Sequence, residues 1–133
     1  MTKYNNYKGI GTGDGVNKLA VLDPNAMMAD PITGASVMQE VLTITGVTPD
    51  PVLPMVREWC INTAAIDPWS KSILANSEDG TLYRWDMATD SFTQSVTLTN
   101  PTGEAYTPTV IGVDGTVYAI NNSILFAVGQ APA

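Results

Sequence analysis

One short pattern that occurs twice restricts the fold of this chain more than any other feature. Residues 79–83 read Asp-Gly-Thr-Leu-Tyr, residues 114–118 read Asp-Gly-Thr-Val-Tyr, and a weaker third copy starts at Asp14-Gly15. An Asp-Gly pair supplies the positive-φ residues of a tight hairpin turn, and the β-branched and aromatic residues that follow are typical of strands. The pattern therefore predicts an all-β chain assembled from antiparallel hairpins.

The centre of the chain has the strand and turn signals of one four-stranded unit. Short apolar runs alternate there with turn residues such as Asp67-Pro68 and Thr89-Asp90. The predicted strands cover residues 60–66, 72–76, 81–85 and 92–98. Four short antiparallel strands in roughly 40 residues are typical of one blade-like sheet.

The two flanks of the chain show the same signals but fewer strands. After the centre, strands are predicted at 107–111, 116–120 and 123–128. Before it, strands are predicted at 18–22 and 37–45, joined by a loop over 24–31, and residues 4–10 offer one further strand. The prolines at 49, 51 and 54 predict a stiff connection, because each fixes φ and removes a backbone donor. Residues 1–133 are then one domain, with an incomplete first unit (1–48), a complete one (58–99) and an incomplete last one (104–129).

Residues 60–129 resemble the blades of quinoprotein-like and other six- to eight-bladed β-propellers, in which T-P-x-V, D-G-T-x-Y and L-[FY]-A-[LV] strands recur. The segments 107–110, 114–118 and 125–128 match these strands in that order. The chain also resembles the C-terminal part of larger uncharacterised bacterial propeller proteins. It lacks the vicinal disulfide of the alcohol-dehydrogenase quinoproteins, since it has one cysteine, so a quinone cofactor is not implied. The resemblance implies about two and a half four-stranded propeller blades; a small sandwich or open sheet is the alternative.

Two and a half blades are too few to close a ring. An incomplete propeller exposes the flanks and strand edges of its end blades to water, which favours association. Two copies of this chain would supply roughly five or six blades, within the known range of ring sizes. The sequence therefore predicts a five- or six-bladed ring completed by homo-oligomerisation, with a second copy of the chain as the partner.

The charge of the chain argues against anionic partners. Thirteen acidic and six basic side chains give a net charge of −7, which repels polyphosphate and anionic lipid surfaces. Neither nucleic acid nor a membrane is expected as a partner. No run of about 18 apolar residues occurs, and the first residues do not form a signal peptide, so the chain as given is expected in the cytoplasm. A longer parent protein could be exported.

Residue types restrict the chemistry further. The chain has no histidine, which excludes Ser-His-Asp and Cys-His catalysis. Glu58 and Glu104 each precede a threonine by five positions and lie 46 residues apart, close to one blade period. If both point to the mouth of a central channel, together with Asn62, these oxygen ligands suit a hard cation such as Ca²⁺. The alternative is that both glutamates are solvated loop residues, with Arg57 neutralising Glu58.

Two functions follow from these features. The first is a self-assembling binding or scaffold module, which requires no special residues. The second is a Ca²⁺-dependent hydrolase of lactones, esters or phosphotriesters, in which Glu58 and Glu104 act as ligands or catalytic carboxylates. This second hypothesis is an analogy at the level of the fold with calcium-dependent six-bladed lactonases and arylesterases, none of whose motifs is matched here. Its substrate would be a small ester or lactone.

Overall fold

The structure, a computed structural model, describes residues 2–4, 13–59, 63–100 and 103–129. Its described residues form three small antiparallel sheets joined by turns and contain no helix. Accordingly, no helix in this part of the chain has the length and apolarity required to cross a membrane. The prediction of an all-β fold is confirmed.

Each sheet is a meander of strands that are consecutive in sequence. The first sheet contains β1 (Thr2–Tyr4), β2 (Lys18–Ala29) and β3 (Ser36–Thr45). The middle sheet contains β4 (Ala65–Asp67), β5 (Ser72–Asn76), β6 (Thr81–Asp86) and β7 (Ser91–Thr97). The last sheet contains β8 (Val110–Ile111), β9 (Val117–Asn121) and β10 (Ile124–Val128). The bounds of β5, β6, β7, β9 and β10 lie within about one residue of the predicted strands, whereas β4 and β8 are shorter than predicted. Part of the predicted strand 60–66 lies outside the described residues.

The predicted loop over residues 24–31 is wrong for most of its length. β2 continues to Ala29 and pairs with β3 as a two-stranded ribbon, with register irregularities between Val21 and Leu22 and between Asp23 and Met27. Bulges of this kind absorb residues such as Pro24 that cannot donate to a regular ladder. The ribbon reverses at Asp30, whose carboxylate accepts hydrogen bonds from the backbone N–H groups of Ile32 (3.1 Å) and Thr33 (2.6 Å).

Two apolar clusters hold the three sheets together. The first joins Leu19 of the first sheet to Trp59 and to Ile73, Tyr83 and Trp85 of the middle sheet. The second joins Leu74 and Leu82 of the middle sheet to Ala119 of the last. Alternate residues of β5 point to opposite faces, so Ile73 and Leu74 belong to different clusters and all of β5 is buried. The middle sheet is therefore covered on both faces, with the first and last sheets on opposite sides.

The three Asp-Gly pairs share one turn geometry. Asp14, Asp79 and Asp114 each accept a hydrogen bond at 2.8–3.0 Å from the backbone N–H two residues further on. The glycines that follow them have φ values of 83°, 81° and 83°. A turn is stable when its aspartate accepts a hydrogen bond from the backbone two residues later and is followed by a glycine with positive φ. This stability explains why the Asp-Gly pair recurs.

The repeated pattern does not mark equivalent positions in the sheets. The Asp79 turn joins β5 to β6, the second and third strands of the middle sheet, whereas the Asp114 turn joins β8 to β9, the first and second strands of the last. The equivalent residues are instead Asn76 and Asn121, which end the second strand of each sheet and are both fully buried. The two Asp-Gly-Thr segments thus share a hairpin turn but lie at different positions in their sheets.

Candidate functional site

Three loop segments meet at one end of the sheets and carry the glutamates of the candidate site. The backbone N–H of Glu78 donates to the carbonyl of Glu58 at 3.0 Å, and the N–H of Gly103 donates to the carbonyl of Glu78 at 3.2 Å. The N–H of Asn122 donates to the carbonyl of Glu104 at 2.9 Å. Backbone bonds thus hold the segments of three glutamates next to one another.

A polar cleft of about 260 Å³ opens where these segments meet. Its lining consists of Arg57, Glu78, Gly103, Glu104 and Asn122. Glu104, predicted as a site residue, is exposed and belongs to this lining. Glu58, predicted as its partner, is half-buried and does not line the cleft. The glutamate that the structure brings beside Glu104 is therefore Glu78.

Arg57 is held in place by an aspartate from the proline-rich connection. Its guanidinium lies 3.1 Å from the carboxylate of Asp50, and its backbone N–H donates to the carbonyl of Thr48 at 2.8 Å. The pKa of Asp50 is lowered, first by hydrogen bonds from the N–H groups of Leu53 and Val52 and then by the charge of Arg57. Arg57 therefore compensates the charge of Asp50. Neutralisation of Glu58 by Arg57 stays a prediction from the sequence.

The predicted cation site is only partly within the described residues. Asn62, the proposed amide ligand, lies outside them, as does the single cysteine, Cys60. In the part of the chain that the structure describes, no three acidic or cysteine side chains group closely enough to hold a metal ion. A Ca²⁺ site at Glu58, Asn62 and Glu104 remains a prediction from the sequence.

Two buried asparagines lie beneath the cleft and fix its loops. The Nδ2 of Asn121 donates to the Oδ1 of Asn76 at 2.9 Å and to the carbonyl of Ser77 at 3.1 Å. Asn76 in turn donates to the carbonyl of Ile120 at 2.8 Å, and Thr99 donates to the Oδ1 of Asn121 at 2.6 Å. Buried amide side chains that hydrogen-bond to each other fix the position of one sheet relative to the other. A shift of either sheet would leave a buried polar group without a hydrogen bond, which is costly. These bonds position Glu78 and Asn122, which are close neighbours of the asparagines in sequence.

A second polar network joins the connection that follows the first sheet to the middle sheet. The carboxylate of Asp79 accepts hydrogen bonds from the hydroxyls of Tyr83 (2.5 Å) and Thr48 (2.6 Å). Burial raises the pKa of Tyr83, and the bond to Asp79 raises it further. Asp79 therefore has a structural role in both the turn and the connection between the sheets.

Glu78, Asn76 and Asn121 were not identified from the sequence as site or support residues. Glu78 directly precedes an Asp-Gly turn, and its neighbours were assigned to turn geometry alone. The asparagines can be recognised by their position in the sequence. Each is the last residue of an apolar strand, and the two asparagines are 45 residues apart. A buried polar residue at a strand end is a stronger indication of a recurring unit than an Asp-Gly pair, which any hairpin uses.

The cleft combines one guanidinium with two carboxylates and an amide. Such a set offers donors and acceptors to a small polar ligand but lacks a nucleophile paired with a general base. No protein-family model matches this chain, and no curated protein matches it significantly. The case for function therefore rests on the residues and their arrangement.

Proposed function

We propose that this chain is a self-assembling β-propeller segment that serves as a binding or scaffold module. Each of the three sheets would be one blade, complete in the middle and lacking one strand at each end. A second copy, or further copies, would supply the blades that close the ring.

One observation carries the proposal: the outer face of the last sheet is apolar and exposed. Cross-strand pairs place Tyr118 between Val110 and Ala127, and Ile120 beside Leu125, on the face opposite the second apolar cluster. Val110 is 54% exposed and Leu125 is 63% exposed. Within the described residues, the middle sheet has both faces covered, but this face of the last sheet has no such cover. A contiguous apolar face of this kind is typical of an interaction surface.

The packing between neighbouring sheets supports the assignment to blades. β4 and β8, the first strands of their sheets, lie side by side, and the N–H of Thr109 donates to the carbonyl of Thr63 at 2.8 Å between them. Sheets that face one another and approach at their first strands are the arrangement expected of blades around a shared axis. The recurrence of a buried asparagine after 45 residues agrees with a blade period.

The binding part of the proposal rests on the polar cleft. In a ring closed by copies, each chain contributes one cleft with Arg57, Glu78 and Glu104 at its rim. Loops at the end of a propeller are displayed on a rigid support, which is where binding residues commonly lie. The hydrolase alternative has no specific support among the described residues and is not proposed.

Light scattering on a matched pair of variants tests the self-assembly. Leu125→Lys places a charge on the exposed outer face, and Val52→Lys places the same charge on a loop residue that is 85% exposed. We expect the unsubstituted chain and Val52→Lys to form the same oligomer at micromolar concentration, and Leu125→Lys to dissociate to monomers. Equal masses for all three oligomers would rule out the outer face as the assembly surface.

A further inference from the structure

A groove of about 710 Å³ runs between the middle and last sheets, beside β10. Leu82, Val117 and Val128 form an apolar floor, and Val96 and Gln94 of β7 form one wall. Arg84 is the one charged side chain among the described residues of the lining. This surface is distinct from the polar cleft and from the outer face of the last sheet.

The groove lies where the last sheet lacks a strand. In the middle sheet, β7 pairs with the third strand, β6; in the last sheet the third strand, β10, has no neighbour beyond it among the described residues. β10 reads Ile-Leu-Phe-Ala-Val, with no charged residue and no proline. An unprotected apolar edge of this kind readily pairs with another strand.

The backbone groups that β10 offers to a partner follow from its hairpin turn. Asn122 and Ser123, with φ of 52° and 65°, form a two-residue turn with the geometry of type I′. In such a hairpin the flanking residues, Asn121 and Ile124, form a hydrogen-bonded pair, and the pairs then alternate along the ladder. Leu125 and Ala127 consequently direct their N–H and C=O groups away from β9, toward the free edge.

The first sheet carries a strand that fits this edge. Residues 36–42 of β3 form one strand of the ribbon and pair with β2 along one edge. Within the described residues, the opposite edge of β3 pairs with no strand. The ribbon exposes Met27, Val37, Met38 and Val41. Methionine side chains adapt to irregular apolar surfaces, and β3 is twice as long as β10. Glu40 is the one charged residue of β3 and is opposite in sign to Arg84 of the groove.

The ribbon of a chain cannot reach the groove of the same chain. The first and last sheets pack on opposite faces of the middle sheet through separate apolar clusters. We propose that the groove beside β10 receives the β3 edge of the ribbon from a second copy, which pairs antiparallel with β10 as the fourth strand of the last sheet. This inference rests on the proposed self-assembly and names the segment that completes it.

Blocking each side of the contact separately gives a decisive experiment. Val96→Lys places a charge on the groove wall, where the valine is 40% exposed, and Val37→Lys places one on the ribbon. Each variant alone loses the contact and is expected to assemble roughly tenfold more weakly or worse. A mixture of the two variants retains one intact groove and one intact ribbon, so it is expected to form a heterodimer. Val52→Lys is the control for added charge.

The readout is mass by analytical ultracentrifugation, with circular dichroism to establish that each variant is folded. If Val96→Lys is not folded, Ser95→Lys, exposed on the same wall, replaces it. Recovery of a dimer on mixing supports the proposal. Full assembly of both single variants, or no recovery on mixing, would overturn the groove contact and leave self-assembly standing. A monomeric unsubstituted chain would overturn self-assembly and the groove contact with it.

Discussion

Single backbone positions decide whether the turns between strands can form. Gly80 and Gly115 each follow the aspartate of an Asp-Gly turn and have nearly equal positive φ values, yet their surroundings differ. A Cβ on Gly80 would overlap the backbone oxygen of Thr99, whereas a Cβ on Gly115 meets no atom within 4 Å. The N–H groups of Leu98 and Thr99 also donate to the carbonyl of Gly80, so this close approach belongs to the sheet itself.

The two glycines therefore form a matched pair for a stability test. Gly115→Ala is expected to lower the free energy of unfolding by about 1–2 kcal/mol, the cost of a left-handed backbone for alanine. Gly80→Ala carries the same cost plus the overlap with Thr99, so its loss is expected to be clearly larger. Urea denaturation of both variants measures the difference. Equal losses would mean that β7 can move away from the turn at little cost.

Tyr83 is expected to make the free energy of unfolding decrease at alkaline pH. Its hydroxyl is buried and donates to the Asp79 carboxylate, and both effects raise its pKa in the folded chain. The folded state therefore favours the neutral phenol. Its stabilising contribution is complete below the ordinary tyrosine pKa of about 10 and is lost as the pH rises through the raised value.

We expect the free energy of unfolding to fall as the pH rises above about 10, and to fall less steeply in Tyr83→Phe. That variant also loses the hydrogen bond to Asp79, so it is less stable than the unsubstituted chain at neutral pH. Tyr106→Phe, which removes an exposed phenol, is the control. An identical alkaline slope in Tyr83→Phe would contradict the assigned role of the phenol.

At the scale of elements, the connection between the middle and last sheets depends on the asparagines that end β5 and β9. Asn76 and Asn121 satisfy each other while fully buried. Replacing either by alanine removes the bond between the two amides from the one that remains, and a bond lost by a buried polar group typically costs about 1–3 kcal/mol. Replacing both removes the two groups as well as the bond between them.

A double-mutant cycle measures this coupling directly. We expect Asn76→Ala and Asn121→Ala each to destabilise the chain, and the double variant to be more stable than the sum of the two losses implies, by about 1 kcal/mol or more. Asn25→Ala, on the exposed ribbon, is the control. Strict additivity would mean that the two amides do not act as one connection.

Most strands were predictable from the sequence, because turn residues separate short apolar runs. β5, β6, β9 and β10 lie within a residue or two of their predicted bounds. The ribbon was not predictable, since Pro24 and the polar residues around it have the composition of a loop, and only pairing with β3 makes them a strand. The matching positions of Asn76 and Asn121 were also obscured, because the Asp-Gly-Thr similarity reflects turn chemistry that two different turns share.

The candidate site was predictable only in part. Glu104 was identified from its spacing to Glu58, and the structure places it in a polar cleft. Its neighbour there, Glu78, is 26 residues earlier in sequence, and only the stacking of two sheets brings the two together. Spacing in one blade-like unit does not reveal which loop of the adjacent unit lies beside it.

At the scale of the whole molecule, the central feature is a stack that is complete in the middle and open at its ends. The middle sheet has apolar partners on both faces, while the last sheet exposes an apolar face and a free edge among the described residues. The net charge of −7 opposes association of copies in general. In the proposed assembly, the apolar surface of the last sheet directs association to particular contacts, and added salt is expected to strengthen it by screening the repulsion.

Native mass spectrometry of the unsubstituted chain counts the subunits of the proposed assembly. We expect a discrete assembly of at least two 14.1 kDa chains that persists on dilution to low micromolar concentration. A single species with the mass of one chain at every concentration would contradict ring closure by copies.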